Sequence, residues 1–312
     1  MQSHFYKNLL LFSFLFCAFG TIAKDRIPFR FVGNLLLVKA NLNGQVGEFI
    51  LDTGAPELMV NQAYFKGVPA LRASTEIVDL NGHSSEARYF AIDHFSIGSL
   101  PIKKQYALTV DLSSVERTKG IHLLGIIGYA ILKDLELIFD FDREELTFAP
   151  AQRKSAPLVN EPPIASFGLK FSGHVPYLIG SIGKKKFRLG IDTGAEINLL
   201  DDSSLKRVPS CFDEIKKLQV KGISHQQKMA TSGILKNLMI GEQLIGSLDV
   251  TIVSLHPLNE SLAVDLDGIL GMPFLRKGKV GVSYKKRRLW VWEGKLRKES
   301  QARMVEASIS KN

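Results

Sequence analysis

Two aspartates 140 positions apart sit in the same local text: residues 49–55 read FILDTGA and residues 189–195 read LGIDTGA. Each acid, Asp52 and Asp192, closes an apolar run, where an isolated carboxylate is costly and either takes up a proton or finds a partner. The repeat supplies the partner. Two carboxylates about 3 Å apart do not both ionise easily, so they share one proton and their titrations split widely. One acid and one base then coexist in one site. A water held between them can lose a proton to the ionised carboxylate while the protonated one donates toward a carbonyl oxygen, which is amide hydrolysis without a covalent intermediate.

The remaining letters of the repeat have physical roles. Gly54 and Gly194 let the backbone bend tightly and approach the opposite loop with no Cβ in the way. Thr53 and Thr193 are expected to hydrogen-bond across the junction and hold the carboxylates coplanar. Ala55 and Ala195 lack a hydroxyl that could bond the ionised pair and depress its titration.

Elements that could bring the two acids together are legible around them. Residues 38–52 lie over residues 178–192 without a gap, and both read as a β-hairpin leading into the acid, turning at Asn43-Gly44 and at Gly183-Lys184. Ile97-Gly98 matches Ile240-Gly241 at a spacing of 143. Gly125-Ile-Ile-Gly128 matches Gly268-Ile-Leu-Gly271 at the same spacing, and residues 138–148 match 281–291. The pattern predicts an internal duplication. Short apolar or alternating runs broken by Gly, Asn-Gly and Pro predict two largely antiparallel β units. Helix signals are short: VNQAYFKG (60–67), DDSSLKR (201–207), AILKDL (130–135) and PFLRKG (273–278), one or two turns each.

The domain reading is a signal peptide at 1–23, a first lobe at 24–149, a linker at 150–164 rich in Pro and polar residues, a second lobe at 165–293 and a basic polar tail at 294–312. The chain has 312 residues, 45% of them hydrophobic, enough for two domains with their own cores. Lys7 precedes an apolar stretch over residues 9–19, and Thr21 and Ala23 suit a signal peptidase, so the protein is expected to be exported, periplasmic or secreted. The alternative is an uncleaved membrane anchor, against which the stretch is shorter than the ~20 residues a span needs. Cys17 follows a bulky Phe, a poor context for lipid attachment. After removal of the signal only Cys211 remains, so no internal disulfide supports the fold, and its thiol reads as core filler.

No HExxH, paired CxxC, Walker loop or GxSxG is present, and the seven histidines are scattered, so neither metal nor cofactor is expected. Residues 161–312 carry 24 basic and 15 acidic side chains, against 15 and 16 over 24–160. The basic runs at 184–186, 285–288 and 295–298 could face an anionic envelope surface, although a solvated hairpin tip and tail explain them more simply. Nucleic acid is not an expected partner of an exported chain.

On the paired DTGA turns and paired apolar-apolar-Gly segments, Ile126-Ile127-Gly128 and Ile269-Leu270-Gly271, the sequence resembles the retropepsin-like aspartic peptidases, over roughly 35–150 and 172–293. The resemblance implies an all-β fold of two similar acid-protease lobes about a pseudo-twofold axis, with Asp52 and Asp192 catalytic and residues 53–55 and 193–195 supporting them. Two lobes fused in one chain imply a monomeric active unit acting on a peptide or protein substrate. The family's flap over the cleft would fall on residues 77–90, with Asn81 and Gly82 at its turn, and on residues 220–227 with Gly222. Where retropepsins commonly have an acidic residue after DTGA and an Arg after the second-motif glycine, this chain has Pro56 and Glu196, then Tyr129 and Met272, so only Glu196 keeps the pattern. An inactive peptide-binding module on the same fold would share every one of these motifs.

Overall fold

The apolar run ahead of each aspartate is a strand with neighbours on both sides. The computed structural model describes residues 24–65, 74–78, 84–103, 106–153, 158–221, 227–261 and 263–293. Strand β1 (Asp25–Val32) pairs with β2 (Leu35–Leu42), which turns through Asn43-Gly44 into β3 (Gln45–Leu51). Asn43 and Gly44 both take positive φ, 49° and 88°, as a type I′ turn requires. After the DTGA turn come β4 (Leu58–Asn61) and a separate two-stranded sheet of β5 (Thr75–Val78) and β6 (Ser84–Ala87). Next are β7 (Tyr89–Ala91), β8 (Phe95–Ile97), β9 (Leu100–Pro101), β10 (Tyr106–Val110) and helix α1 (Ser113–Lys119). This half closes with β11 (Gly125–Ile127), α2 (Tyr129–Leu132), β12 (Leu135–Asp140) and β13 (Glu145–Pro150).

The second half opens with β14 (Ala165–Gly168), β15 (Lys170–Ser172), β16 (Val175–Ile182) and β17 (Lys185–Ile191), then β18 (Leu199–Asp201) and α3 (Ser203–Arg207). Three longer strands come next, β19 (Phe212–Lys221), β20 (Gln227–Ile240) and β21 (Gln243–Val253). The chain continues through α4 (His256–Ser261), β22 (Gly268–Leu270), α5 (Met272–Leu275), β23 (Val280–Ser283) and β24 (Arg288–Val291). With 52% of residues in strands and only short helices, the protein is all-β.

The pairing order β2–β3–β11–β4–β10 recurs as β16–β17–β22–β18–β21, with the same alternation of parallel and antiparallel neighbours. Ile126 lies opposite Ile50 and Ile269 opposite Gly190, so the two sequence spacings, 140 and 143, meet in register. Because β3 and β17 are central strands, their last residues Leu51 and Ile191 are fully buried, each burial worth about 2 kcal/mol. The glycine ending each apolar-apolar-Gly segment is required by a close approach. A Cβ on Gly128 would stand 2.6 Å from the Ala55 carbonyl, and one on Gly271 would stand 2.5 Å from that of Ala195.

Strands from both halves also make one sheet. β12 and β23 pair antiparallel, Leu137 opposite Val282, in the order β14–β24–β23–β12–β13–β1, and one apolar cluster runs from Phe29 and Phe139 to Val282 and Leu289. Pro150 is the last residue of β13, and β14 begins at Ala165.

Two sequence expectations are corrected. Val60 and Asn61, read as the start of a helical segment, belong to β4, because both pair with β10, Val60 also pairs with β11, and the Asn61 N–H donates to the Leu124 carbonyl just ahead of β11. Beyond them the chain makes one turn, closed by the Tyr64 N–H on the Asn61 carbonyl, 3.1 Å. The run at 285–288 is not wholly a solvated tip. Lys286 turns inward to an ion pair with Glu136, with side chains 7% and 2% exposed, whereas Lys184, Lys185 and Lys186 are exposed as expected. Residues 1–23 and 294–312 lie outside the described residues. Among those described, no helix is long and apolar enough to cross a membrane.

Candidate active site

Each aspartate is held by the strand that passes beneath its loop. The Asp52 N–H donates to the Ile127 carbonyl, 3.0 Å, and the Asp192 N–H to the Leu270 carbonyl, 3.2 Å. Within the loops, Asp52 Oδ1 accepts the N–H groups of Gly54 and Ala55 at 2.7 and 2.9 Å, and Asp192 Oδ1 accepts that of Gly194 at 2.8 Å. The Tyr129 N–H then bonds the Ala55 carbonyl, 2.8 Å, and the Met272 N–H that of Ala195, 2.9 Å, so both turns are closed alike.

The two loops are tied by their threonines. The Thr53 N–H donates to Thr193 Oγ1 and the Thr193 N–H to Thr53 Oγ1, each 3.0 Å. Each hydroxyl donates in turn to the carbonyl preceding the opposite aspartate: Thr53 Oγ1 to Ile191, 2.9 Å, and Thr193 Oγ1 to Leu51, 2.7 Å. Both threonines are buried, so these four bonds are sheltered from competing water. Above them Asp52 and Asp192 come within hydrogen-bonding reach. A Cβ on Gly54 would meet Asp192 Oδ2 at 2.6 Å, and one on Gly194 would run into Asp52 Oδ2.

Burial first, and the neighbouring Asp52 second, push the Asp192 carboxyl well above the usual carboxylate range; the Gly194 and Ala195 N–H groups pull the other way and do not win. A proton therefore stays on Asp192 where an ordinary aspartic acid has lost it. Buried Tyr284 lies close by. Its hydroxyl donates to the Thr53 carbonyl at 3.4 Å, and burial together with the charges of Asp52 and Asp192 holds the phenol well above its ordinary value.

The two flanks of this centre are built differently. At one, the Asn34 N–H donates to Glu196 Oε2, 3.0 Å, and Asn34 Nδ2 to the Glu196 carbonyl, 2.8 Å. Lys119 pairs with the Glu196 carboxylate, 2.7 Å, and Arg276 Nη1 donates to Asn34 Oδ1, 3.2 Å. At the other flank His174 Nε2 lies 2.9 Å from the Gly54 carbonyl, beside the Tyr129 ring at 6.3 Å.

All eight DTGA positions named from the sequence, residues 52–55 and 192–195, thus converge at the junction of the halves. The three flap positions, Asn81, Gly82 and Gly222, lie outside the described residues. The strands leading to them are β5 and β6 for the first pair and β19 and β20 for Gly222. Among the described residues, no three His, Cys, Asp or Glu side chains converge as metal ligands would. Sequence reasoning missed His174, Asn34, Arg276, Lys119 and Tyr284. The signal for three of them was present: the 140-residue offset sets His174 against Asn34, and the 143-residue offset sets Tyr284 against Phe141.

An all-β chain in which two Asp-Thr-Gly turns are laced together beneath adjoining carboxyl groups has the architecture of an acid protease. Residues 38–131 match the family model for aspartyl protease, and over this stretch the chain is similar to aspartyl proteases of the retropepsin-like type. The match runs from within β2 to within α2 and includes Asp52 and the segment 126–128; the second copy lies beyond it. No curated protein matches the chain.

Proposed function

We propose that the chain is an exported aspartic endopeptidase that hydrolyses peptide bonds with a water activated between Asp52 and Asp192, in two lobes of one chain related by a pseudo-twofold axis. The reading rests on the crossed Thr53–Thr193 bonds, over which the two carboxyl groups come within hydrogen-bonding reach. Asp52, whose Oδ1 accepts two backbone N–H groups, takes a proton from the water. Asp192, kept protonated by burial and by its neighbour, donates to the carbonyl oxygen of the scissile amide. Water oxygen bonds to the carbonyl carbon, and the resulting tetrahedral adduct expels the amine as the nitrogen receives the proton that Asp52 took up, while a hydroxyl of the adduct returns its proton to Asp192 and the carbonyl re-forms. The substrate lies extended, adding main-chain hydrogen bonds to the flap hairpin and alternate side chains to the cleft walls. No second chain is needed to complete the dyad.

The test is cleavage of a mixed peptide library by residues 24–312 and by its Asp52→Asn and Asp192→Asn variants, with and without a transition-state inhibitor of aspartic peptidases. Each variant is expected to lose about a thousandfold or more of kcat. Cleavage undiminished in Asp52→Asn removes the dyad mechanism. Peptide retained but never cleaved by the parent chain identifies a binding module on the same fold. Export is tested by expressing the full chain and sequencing the N-terminus of the product, expected to begin at Lys24.

A further inference from the structure

Asn34 and His174 occupy the same place in the two halves, each 18 residues before its aspartate and at the start of the hairpin leading into it. Each reaches across to the DTGA loop of the other half, Asn34 to Glu196 and His174 to Gly54. The chemistry of the two braces differs. Asn34 belongs to a network of permanent charges, Glu196, Lys119 and Arg276. On the opposite flank the position of Glu196 is taken by Pro56, which has no charge, and the bracing side chain is an imidazole.

We propose that His174 is a positioning residue of the aspartic dyad: its Nε2–H holds the Gly54 carbonyl, fixing the loop that solvates Asp52, and its charge in acid keeps Asp52 ionised. This inference rests on the peptidase reading above. The peptide whose carbonyl His174 holds is followed by the Ala55 N–H, one of the two donors on Asp52 Oδ1. Nε2 carries a proton in both the imidazolium and the matching neutral tautomer, so acidification preserves the bond and changes only the charge.

The groups around the imidazole fix the sign of that effect. Asp52 and Glu57 face it and favour the cation; burial, the larger influence, opposes it and holds His174 below its ordinary value. Tyr129 packs against the ring and Tyr284 against Tyr129. The nearby cations are Lys133, over the Tyr129 ring at 5.7 Å, and Arg287, over the Phe171 ring at 5.5 Å. His174 is thus the group on this flank that gains charge as pH falls below neutrality and, by reciprocity, makes Asp52 harder to protonate. The acid limb of activity is extended downward.

Two substitutions separate holding from charging. In His174→Ala, kcat falls roughly tenfold or more with KM little changed, because the loop loses its brace. His174→Asn, which copies the residue at the equivalent place, recovers most of that loss near neutrality. In both variants the acid limb of kcat/KM moves up by about half a pH unit or more. An acid limb in His174→Asn coincident with that of the parent overturns the proposal. A second measurement needs no turnover: NMR titration of the His174 imidazole in residues 24–312 and in Asp52→Asn, where removing the carboxylate is expected to lower the His174 midpoint. An unchanged midpoint also overturns the coupling. A parent chain that cleaves nothing would sink the peptidase reading, while the NMR titration still decides whether His174 and Asp52 interact.

Discussion

Thr53 and Thr193 exchange backbone N–H and side-chain hydroxyl bonds at 3.0 Å in both directions, and each hydroxyl then donates to the carbonyl just ahead of the other's aspartate. Every bond in this lattice joins one half of the chain to the other. The carboxyl groups above it are brought together by backbone and threonine geometry.

Thr53→Val keeps the volume and removes the hydroxyl, leaving the Thr193 N–H and the Ile191 carbonyl without their partner in a buried site. Unsatisfied buried groups cost about 1–3 kcal/mol each, so urea unfolding is expected to show a loss of about 2–4 kcal/mol. Thr193→Val should behave alike. A loss under about 0.5 kcal/mol in both would mean the lattice adds nothing to stability.

Gly54→Ala puts a methyl group against Asp192 Oδ2, and Gly194→Ala puts one against Asp52. Strand content by circular dichroism is expected to be kept while kcat falls about a hundredfold or more, since displacement of a reacting group by around 1 Å costs that much. Full activity in either variant would show that the loops approach less closely than these contacts imply.

The raised Asp192 titration predicts a stability difference with a definite sign. An acid whose folded-state value lies above its unfolded value binds more protons when folded, so its stabilising effect is complete below the unfolded value, about 3.9, and is lost as pH rises through the folded one. Asp192→Asn should therefore be more stable than the parent near neutrality, with the difference shrinking toward about pH 3. Thermal melts across that range measure it, and a variant less stable than the parent near neutrality has the wrong sign.

Ala55 and Ala195 offer the dyad no hydroxyl, and Asp192 keeps its proton above the usual range. The pH-rate profile is expected to peak well above the strongly acidic region of a pepsin. A maximum below about 3 would require both acids to titrate near the pepsin pair.

Glu136 on β12 accepts the Leu158 N–H at 2.7 Å and pairs with Lys286 beyond β23, joining the linker and the second half to the first. Glu136→Gln removes the charge opposite a buried ammonium and is expected to cost about 3–5 kcal/mol in urea unfolding. Replacing both residues by apolar ones of similar size should recover much of the loss; equal cost in the single and double variants would show that the ion pair itself is not the source.

The local text alone determined the turns and the acids. Asp-Thr-Gly-Ala after an apolar run, Asn-Gly between alternating strands and a repeat at constant offset are short-range signals, so residues 52–55 and 192–195 and the hairpins β2–β3 and β16–β17 could be read directly. What depended on distant partners could not. Asn61 is a strand residue because β10 lies on one side of it and Leu124, just ahead of β11, on the other, and Lys286 is buried because Glu136, 150 positions away, meets it. His174 looked like one more scattered histidine until the packing of the halves set its ring against Gly54, 120 positions earlier. Sequence specifies which groups are present and how each loop bends. Tertiary packing alone decides which carbonyl an imidazole holds and which of two identical carboxyl groups keeps the proton, because burial and neighbouring charge are properties of assembled surfaces.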